Sequence, residues 1–133
     1  MRPLVAIACL LLLFATACSA AGSARDVTID LRIAVWPEGR GTGNEVRRFT
    51  LHCNPLRGNL PHGDRACYFL AVTSRPFATV PRDAACTQVY GGPQVARVLG
   101  RLRGRSVDAT FRRTNGCETA RWERVAFLLG VQT

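Results

Sequence analysis

From residue 27 onward, apolar and polar positions alternate in two long runs. Val27, Ile29, Leu31, Ile33 and Val35 fall on one side of an extended chain, with Thr28, Asp30, Arg32 and Ala34 on the other. Trp36-Pro37 ends this strand. Glu38 to Asn44, with glycine at 39, 41 and 43, reads as a flexible hairpin loop. No helical pattern follows those glycines, so they are a weak phosphate-loop signal. The return strand directs Phe49, Leu51 and Cys53 inward and Arg48, Thr50 and His52 outward. A second hairpin is predicted further along. Ala96, Val98 and Leu102 alternate with Arg97 and Arg101, Arg103-Gly104-Arg105 turns the chain, and Val107, Ala109 and Phe111 alternate with Asp108, Thr110 and Arg112.

Between and after the hairpins the period changes. Asn54 to Asn59 reads as a turn, and Pro61 suits the first turn of a helix in which Ala66, Cys67, Leu70 and Ala71 share a face. That helix is expected to stop before Pro76, with Phe77 to Ala85 irregular. Thr114-Asn115-Gly116 reads as a turn, and Glu118 to Arg124 as a short helix in which Glu118 can pair with Arg121 or Trp122. Val125 to Val131 reads as a buried final strand. The sum is an α+β domain: an antiparallel sheet with two short helices packed against it.

Composition adds a compartment. Met1-Arg2 followed by the apolar run Leu4 to Phe14 and small residues to Ala21 reads as an export signal, too short to span a membrane. Two processing routes compete. Signal peptidase accepts small residues such as Cys18 and Ala20, whereas Phe14-Ala15-Thr16-Ala17-Cys18 resembles a bacterial lipobox, with Cys18 as the lipidated residue and Ser19 to Ala24 as a tether. Lipidation is the favoured route. Residues 1–24 are thus expected to be leader and tether, and 25–133 one domain outside the cytoplasm. The chain holds 18 basic and 9 acidic residues, a net charge of +9, and every basic residue is arginine. The arginines are scattered, without a helical stripe or an aromatic platform, so the charge reads as solvated surface and no nucleic-acid partner is expected. Membrane contact is expected only through a lipid anchor.

Four cysteines remain in the domain: Cys53, Cys67, Cys86 and Cys117. An even number in a small exported domain reads as two disulfides. Three connectivities exist, and the sequential one closes the shortest combined loops. A zinc site is the rival explanation, but no C-x-x-C occurs and only His52 and His62 could join the cysteines, so no metal or other cofactor is expected. Catalysis has little support: Ser74 and Ser106 lack a G-x-S-x-G setting. One further stretch stands out. In Ala85-Cys86-Thr87-Gln88-Val89-Tyr90-Gly91-Gly92-Pro93, a half-cystine opens a run of extended-chain formers that a Gly-Gly-Pro turn is expected to close. Local sequence alone favours a crossing between core strands.

The order of motifs changes that reading. Phe49-Thr50-Leu51-His52-Cys53-Asn54-Pro55, Gly58-Asn59-Leu60-Pro61 leading to Ala66-Cys67, Cys86-x-x-Val89-Tyr90, and Gly100-x-x-x-Gly104 leading to Thr114-Asn115-Gly116-Cys117-Glu118 resemble the Streptomyces-type subtilisin inhibitor family over roughly residues 27 to 129. The resemblance implies a five-stranded antiparallel sheet with two helices, pairing of Cys53 with Cys67 and of Cys86 with Cys117, and a homodimer as a common form. It also implies inhibition of subtilisin-type serine proteases by a substrate-like loop that is cut very slowly. Carried onto this chain, Cys86, Thr87 and Gln88 precede the scissile bond, Val89 and Tyr90 follow it, and Asn115 supports the loop from beneath.

This chain departs from that pattern at several places. Many members have Pro where Thr87 stands and Met or Lys where Gln88 stands. Gly91-Gly92-Pro93 replaces a shorter Asp-Pro, and Leu102 replaces a Trp. Two readings follow. The favoured one is an exported serine protease inhibitor with Gln88-Val89 as its reactive bond, not an enzyme. The alternative is a surface-anchored lipoprotein binding module that keeps the scaffold without inhibiting.

Overall fold

The computed structural model describes residues 28–41, 43 and 45–131. The leader, Cys18 and Val27 lie outside the described residues. Five strands form one antiparallel sheet: β1 (Ile29–Trp36), β2 (Arg47–Cys53), β3 (Arg57–Gly58), β4 (Gly92–Leu102) and β5 (Arg105–Arg113), in the order β3-β2-β1-β4-β5. Helix α1 (Gly63–Val72) lies between β3 and β4 in the chain, and helix α2 (Gly116–Val125) follows β5. The alternation of β1 fixes its place at the centre: Ile29, Leu31, Ile33 and Val35 are all buried, each side chain gaining about 1.5–3 kcal/mol by leaving water. Leu51 of β2, Ala96 and Val98 of β4, and Ala109 and Phe111 of β5 continue that face across the sheet. Trp122 and Val125 of α2, and Ala66 and Leu70 of α1, close over it.

The second hairpin turns through Arg103 and Gly104, both at positive φ (53° and 75°), a two-residue connection suited to the twist of paired strands. Arg105 already belongs to β5. The Arg103 guanidinium reaches back across the sheet and donates to the carbonyls of Leu70, Ala71 (2.7 Å) and Thr73 (3.0 Å). One side chain thus satisfies the open C-terminal end of α1.

Both disulfides are the sequential pairs, Cys53–Cys67 and Cys86–Cys117, with Cα–Cα distances of 5.8 and 5.4 Å. Several expectations are corrected. Val125 to Val131 is no strand: Val125 ends α2, a 3-10 turn covers Ala126–Leu129, and Gly130 reverses the chain at φ 67°. A short apolar run carries no periodicity that separates strand from buried helix. The fifth strand is β3, only two residues long, in the segment read as a plain turn. Pro61 precedes α1, which starts after His62, and Ala71 is exposed rather than on the buried face. Gly91-Gly92-Pro93 does not end an element. β4 begins at Gly92, which pairs with Arg113, and an irregularity before Ala96 makes room for the proline.

Candidate functional site

The stretch from Cys86 to Gly91 joins α1's side of the molecule to β4, and its incoming limb has no regular structure. Arg121 of α2 holds that limb. Its side chain is buried, and Nε donates to the Ala78 carbonyl at 2.7 Å, Nη1 to Thr110 at 2.7 Å and Nη2 to Phe77 at 3.4 Å. Glu118, one turn earlier on α2, neutralises it at 3.3 Å, and the guanidinium lies 4.1 Å over the Phe111 ring. A buried charge is tolerated when its donors are all met, and here they tie limb, strand and helix together. Phe77 adds an edge-on contact to Phe111. Sequence reasoning assigned Arg121 only a pairing with Glu118. The four-residue spacing of Cys117, Arg121 and Val125 is the signal that places it inward once Cys117 is bridged.

The loop itself is fixed at both ends and free between them. Cys86 is bonded to Cys117 in the first turn of α2. The Gly116 amide donates to the Thr87 carbonyl at 3.0 Å, and the Gly91 amide donates to the Arg113 carbonyl at 2.7 Å. Among the described residues, the main-chain groups of Gln88, Val89 and Tyr90 make no internal hydrogen bond. Val89 and Tyr90 are 67% and 63% exposed. The Gln88 carboxamide nitrogen rests on the Cys86 carbonyl at 3.3 Å. No charged side chain occurs from Ala84 to Gln94. A neutral segment outside any regular element, with unused main-chain donors and acceptors, is able to pair with the edge of another protein's sheet.

The structure brings Cys86, Thr87, Asn115 and Cys117 together beneath the exposed Gln88-Val89-Tyr90. Asn115 acts on the helix: its side-chain oxygen accepts from the Glu118 amide at 2.9 Å and caps α2. It thereby sets the orientation of the neighbouring Gly116 amide, which meets the loop. Arg113, below Gly91, is held by Glu123 at 3.1 Å.

The remaining candidates lie elsewhere. His52 faces Asp30 at 3.6 Å on the exposed side of the sheet, His62 stands at the N-terminal boundary of α1 without a side-chain capping hydrogen bond, and all four domain cysteines are bridged. Ser74 and Ser106 both line a cavity of about 560 Å3 with Arg75, Arg103 and Arg105 and without a histidine. Arg97 and Asp108 pair on the open face of the sheet at 2.7 Å. Their hydrogen bond holds the Asp108 carboxyl below, and the Arg97 guanidinium above, their ordinary pKa values. Among the described residues, no helix is long and apolar enough to cross a membrane.

A family model described as subtilisin inhibitor-like matches residues 27–115. No curated protein matches the chain. Among solved structures, it is similar to a chain in the crystal structure of Streptomyces caespitosus sermetstatin in complex with Bacillus licheniformis subtilisin. The likeness covers 75% of this chain and 94% of that one, at 22% sequence identity and a TM-score of 0.49.

Proposed function

The chain belongs to the subtilisin inhibitor-like family, and from that premise we propose that it is an exported inhibitor of subtilisin-like serine proteases. The Gln88–Val89 peptide bond lies at the protease's catalytic centre. One observation carries this reading: Gln88, Val89 and Tyr90 have unpaired main-chain groups between two hydrogen-bonded ends. A flexible peptide loses conformational entropy when it enters a protease cleft. This segment has lost most of it at folding, through Cys86–Cys117 and the two bonds that flank it. The side chain of Gln88 enters the primary pocket, where its methylene stem suits an apolar wall and its amide faces water. Reaching that pocket requires only the release of one exposed hydrogen bond to Cys86. Residues 1–24 deliver the domain outside the cytoplasm, with Cys18 as the lipid anchor.

Titration of subtilisin with purified protein tests the reading. Residual activity is expected to fall stoichiometrically, and long incubation with catalytic subtilisin is expected to cut Gln88–Val89 first, leaving halves joined by Cys86–Cys117. A first cut elsewhere, or full activity at equimolar protein, excludes this loop as the reactive site and leaves the scaffold-only binding module. Trypsin is expected to be inhibited poorly, because Gln88 brings no charge to its acidic pocket. Gln88→Lys is expected to gain trypsin inhibition by about one to two decades, the worth of one charge-assisted contact. Cys18→Ser is expected to move the protein from membrane to medium, checked by fractionation.

A further inference from the structure

Resting on the proposed Gln88–Val89 bond, we propose that two threonine-on-glycine contacts hold the ends of the cut chain in register for religation. Thr87 packs on Gly116 before the bond, and Gly91 packs on Thr119 after it. Both glycines have φ outside the left-handed region, so backbone freedom is not their reason. Space is. A Cβ on Gly116 would run into the Thr87 Oγ1, and a Cβ on Gly91 would run into the Thr119 Oγ1 with Arg113 Cβ at 3.1 Å. Each contact accompanies a main-chain bond, Gly116 to Thr87 and Gly91 to Arg113, so threonine and glycine together set how closely the loop approaches β5 and α2.

The two sides are unequal. The acyl side has the Cys86–Cys117 disulfide as well as the Gly116 bond. The amine side runs on into β4 without a cross-link of its own, held by the Gly91 bond and the strand pairing of Gly92 with Arg113. When the protease's serine oxygen attacks the Gln88 carbonyl, the Val89 amine departs and an acyl-enzyme remains. Return of that amine to the acyl carbon remakes the peptide bond, with its proton passing to the protease's general base and the serine leaving; attack by water instead completes hydrolysis. The outcome depends on where the Val89 amine waits. It stands two residues from Gly91, a reach of at most about 7 Å. The Thr119 hydroxyl beneath Gly91 is buried without a hydrogen-bond partner, as is the Arg113 Nε, so this floor is polar but turned to packing. Gly91, Thr119, Gly116 and Thr87 are thus positioning residues, and Gly91 after Tyr90 tightens the loop instead of loosening it.

The test is the ratio of cut to intact inhibitor at equilibrium with catalytic subtilisin, together with the inhibition constant. Gly91→Ala is expected to raise the cut fraction and weaken inhibition by about tenfold or more. Adding Thr119→Ala removes the clash and is expected to bring both back to within about threefold of wild type. A merely structural role would lower the melting temperature and leave the cut-to-intact ratio alone. Thr119→Ala by itself keeps the fold measurable if Gly91→Ala does not fold, and is expected to raise the cut fraction with the association rate unchanged. Wild-type inhibition with a first cut at Gln88–Val89, but with Gly91→Ala or Thr119→Ala cut no more than wild type, overturns the contacts alone. A wild type that inhibits nothing overturns the reactive-bond reading beneath them.

Discussion

Two cystine-pinned loops sit in this small domain, and they use their main chains in opposite ways. The first runs from Cys53 to α1. Its main chain turns inward: Asn59 and Leu60 amides both donate to the Thr50 carbonyl, and the Asn59 side chain accepts from the Thr50 amide at 2.7 Å and reaches the Arg48 carbonyl. Arg57 and Gly58 pair with β2, and Leu60 enters the core. The second loop, from Cys86 to Gly91, is held from outside by β5 and α2 and leaves its three central residues unpaired. A disulfide therefore does not by itself decide whether a loop's main chain is used by the fold. What distinguishes the second is an irregular segment, fixed at its ends, whose hydrogen-bonding groups are unused by the fold.

The largest test of that contrast removes one bridge at a time. Cys53→Ser with Cys67→Ser should cost about 3 kcal/mol of unfolding free energy, and Cys86→Ser with Cys117→Ser about 3.7 kcal/mol, from bridged separations of 14 and 31 residues. Chemical denaturation should find these losses similar, while inhibition falls about a hundredfold or more only for the second pair. Equal loss of inhibition from both would erase the distinction.

Arg121→Met comes next. It keeps apolar bulk but leaves Ala78, Thr110 and Glu118 without their donor, a loss of about 2–3 kcal/mol. Amide exchange should show the limb at residues 77–85 opening first, with the Cys53–Cys67 loop unaffected. The two asparagines offer a smaller, paired comparison. Asn59→Ala and Asn115→Ala should each cost about 1 kcal/mol by thermal melts, yet only Asn115→Ala should weaken subtilisin inhibition, because it unsettles the helix start that presents Gly116.

The smallest effect lies off both loops. The hydrogen bond from Arg97 lowers the folded-state pKa of Asp108, so its contribution is present above the unfolded carboxylate value of about 3.9 and is lost as pH falls through the lower folded value. The pair is exposed, so the effect is small. Asp108→Asn should slightly flatten the acid limb of a melting-temperature profile and leave inhibition unchanged; a change in inhibition would tie the open sheet face to the loop.

Alternation at Ile29 to Val35 and at Val107 to Phe111 made the strands legible, since a side chain on a pleated surface has only two directions to face. Four spaced cysteines in a chain expected to be exported pointed to two bridges, while the run from Cys86 to Tyr90 read locally as a crossing between core strands and only the order of motifs along the chain made it a loop of interest. Those features are local, or depend on spacing along one chain. The short strand Arg57–Gly58 was hidden because two residues carry no period, and the chain end at Val125 to Val131 because an unbroken apolar run fits helix and strand alike. Tertiary structure alone decided that Arg103 closes α1 from across the sheet, that Arg121 ties the loop's approach to the sheet, and that Gly91 and Gly116 are places where two segments touch. Each is a meeting of groups far apart in sequence, and only the packing of the sheet and its helices brings them within reach.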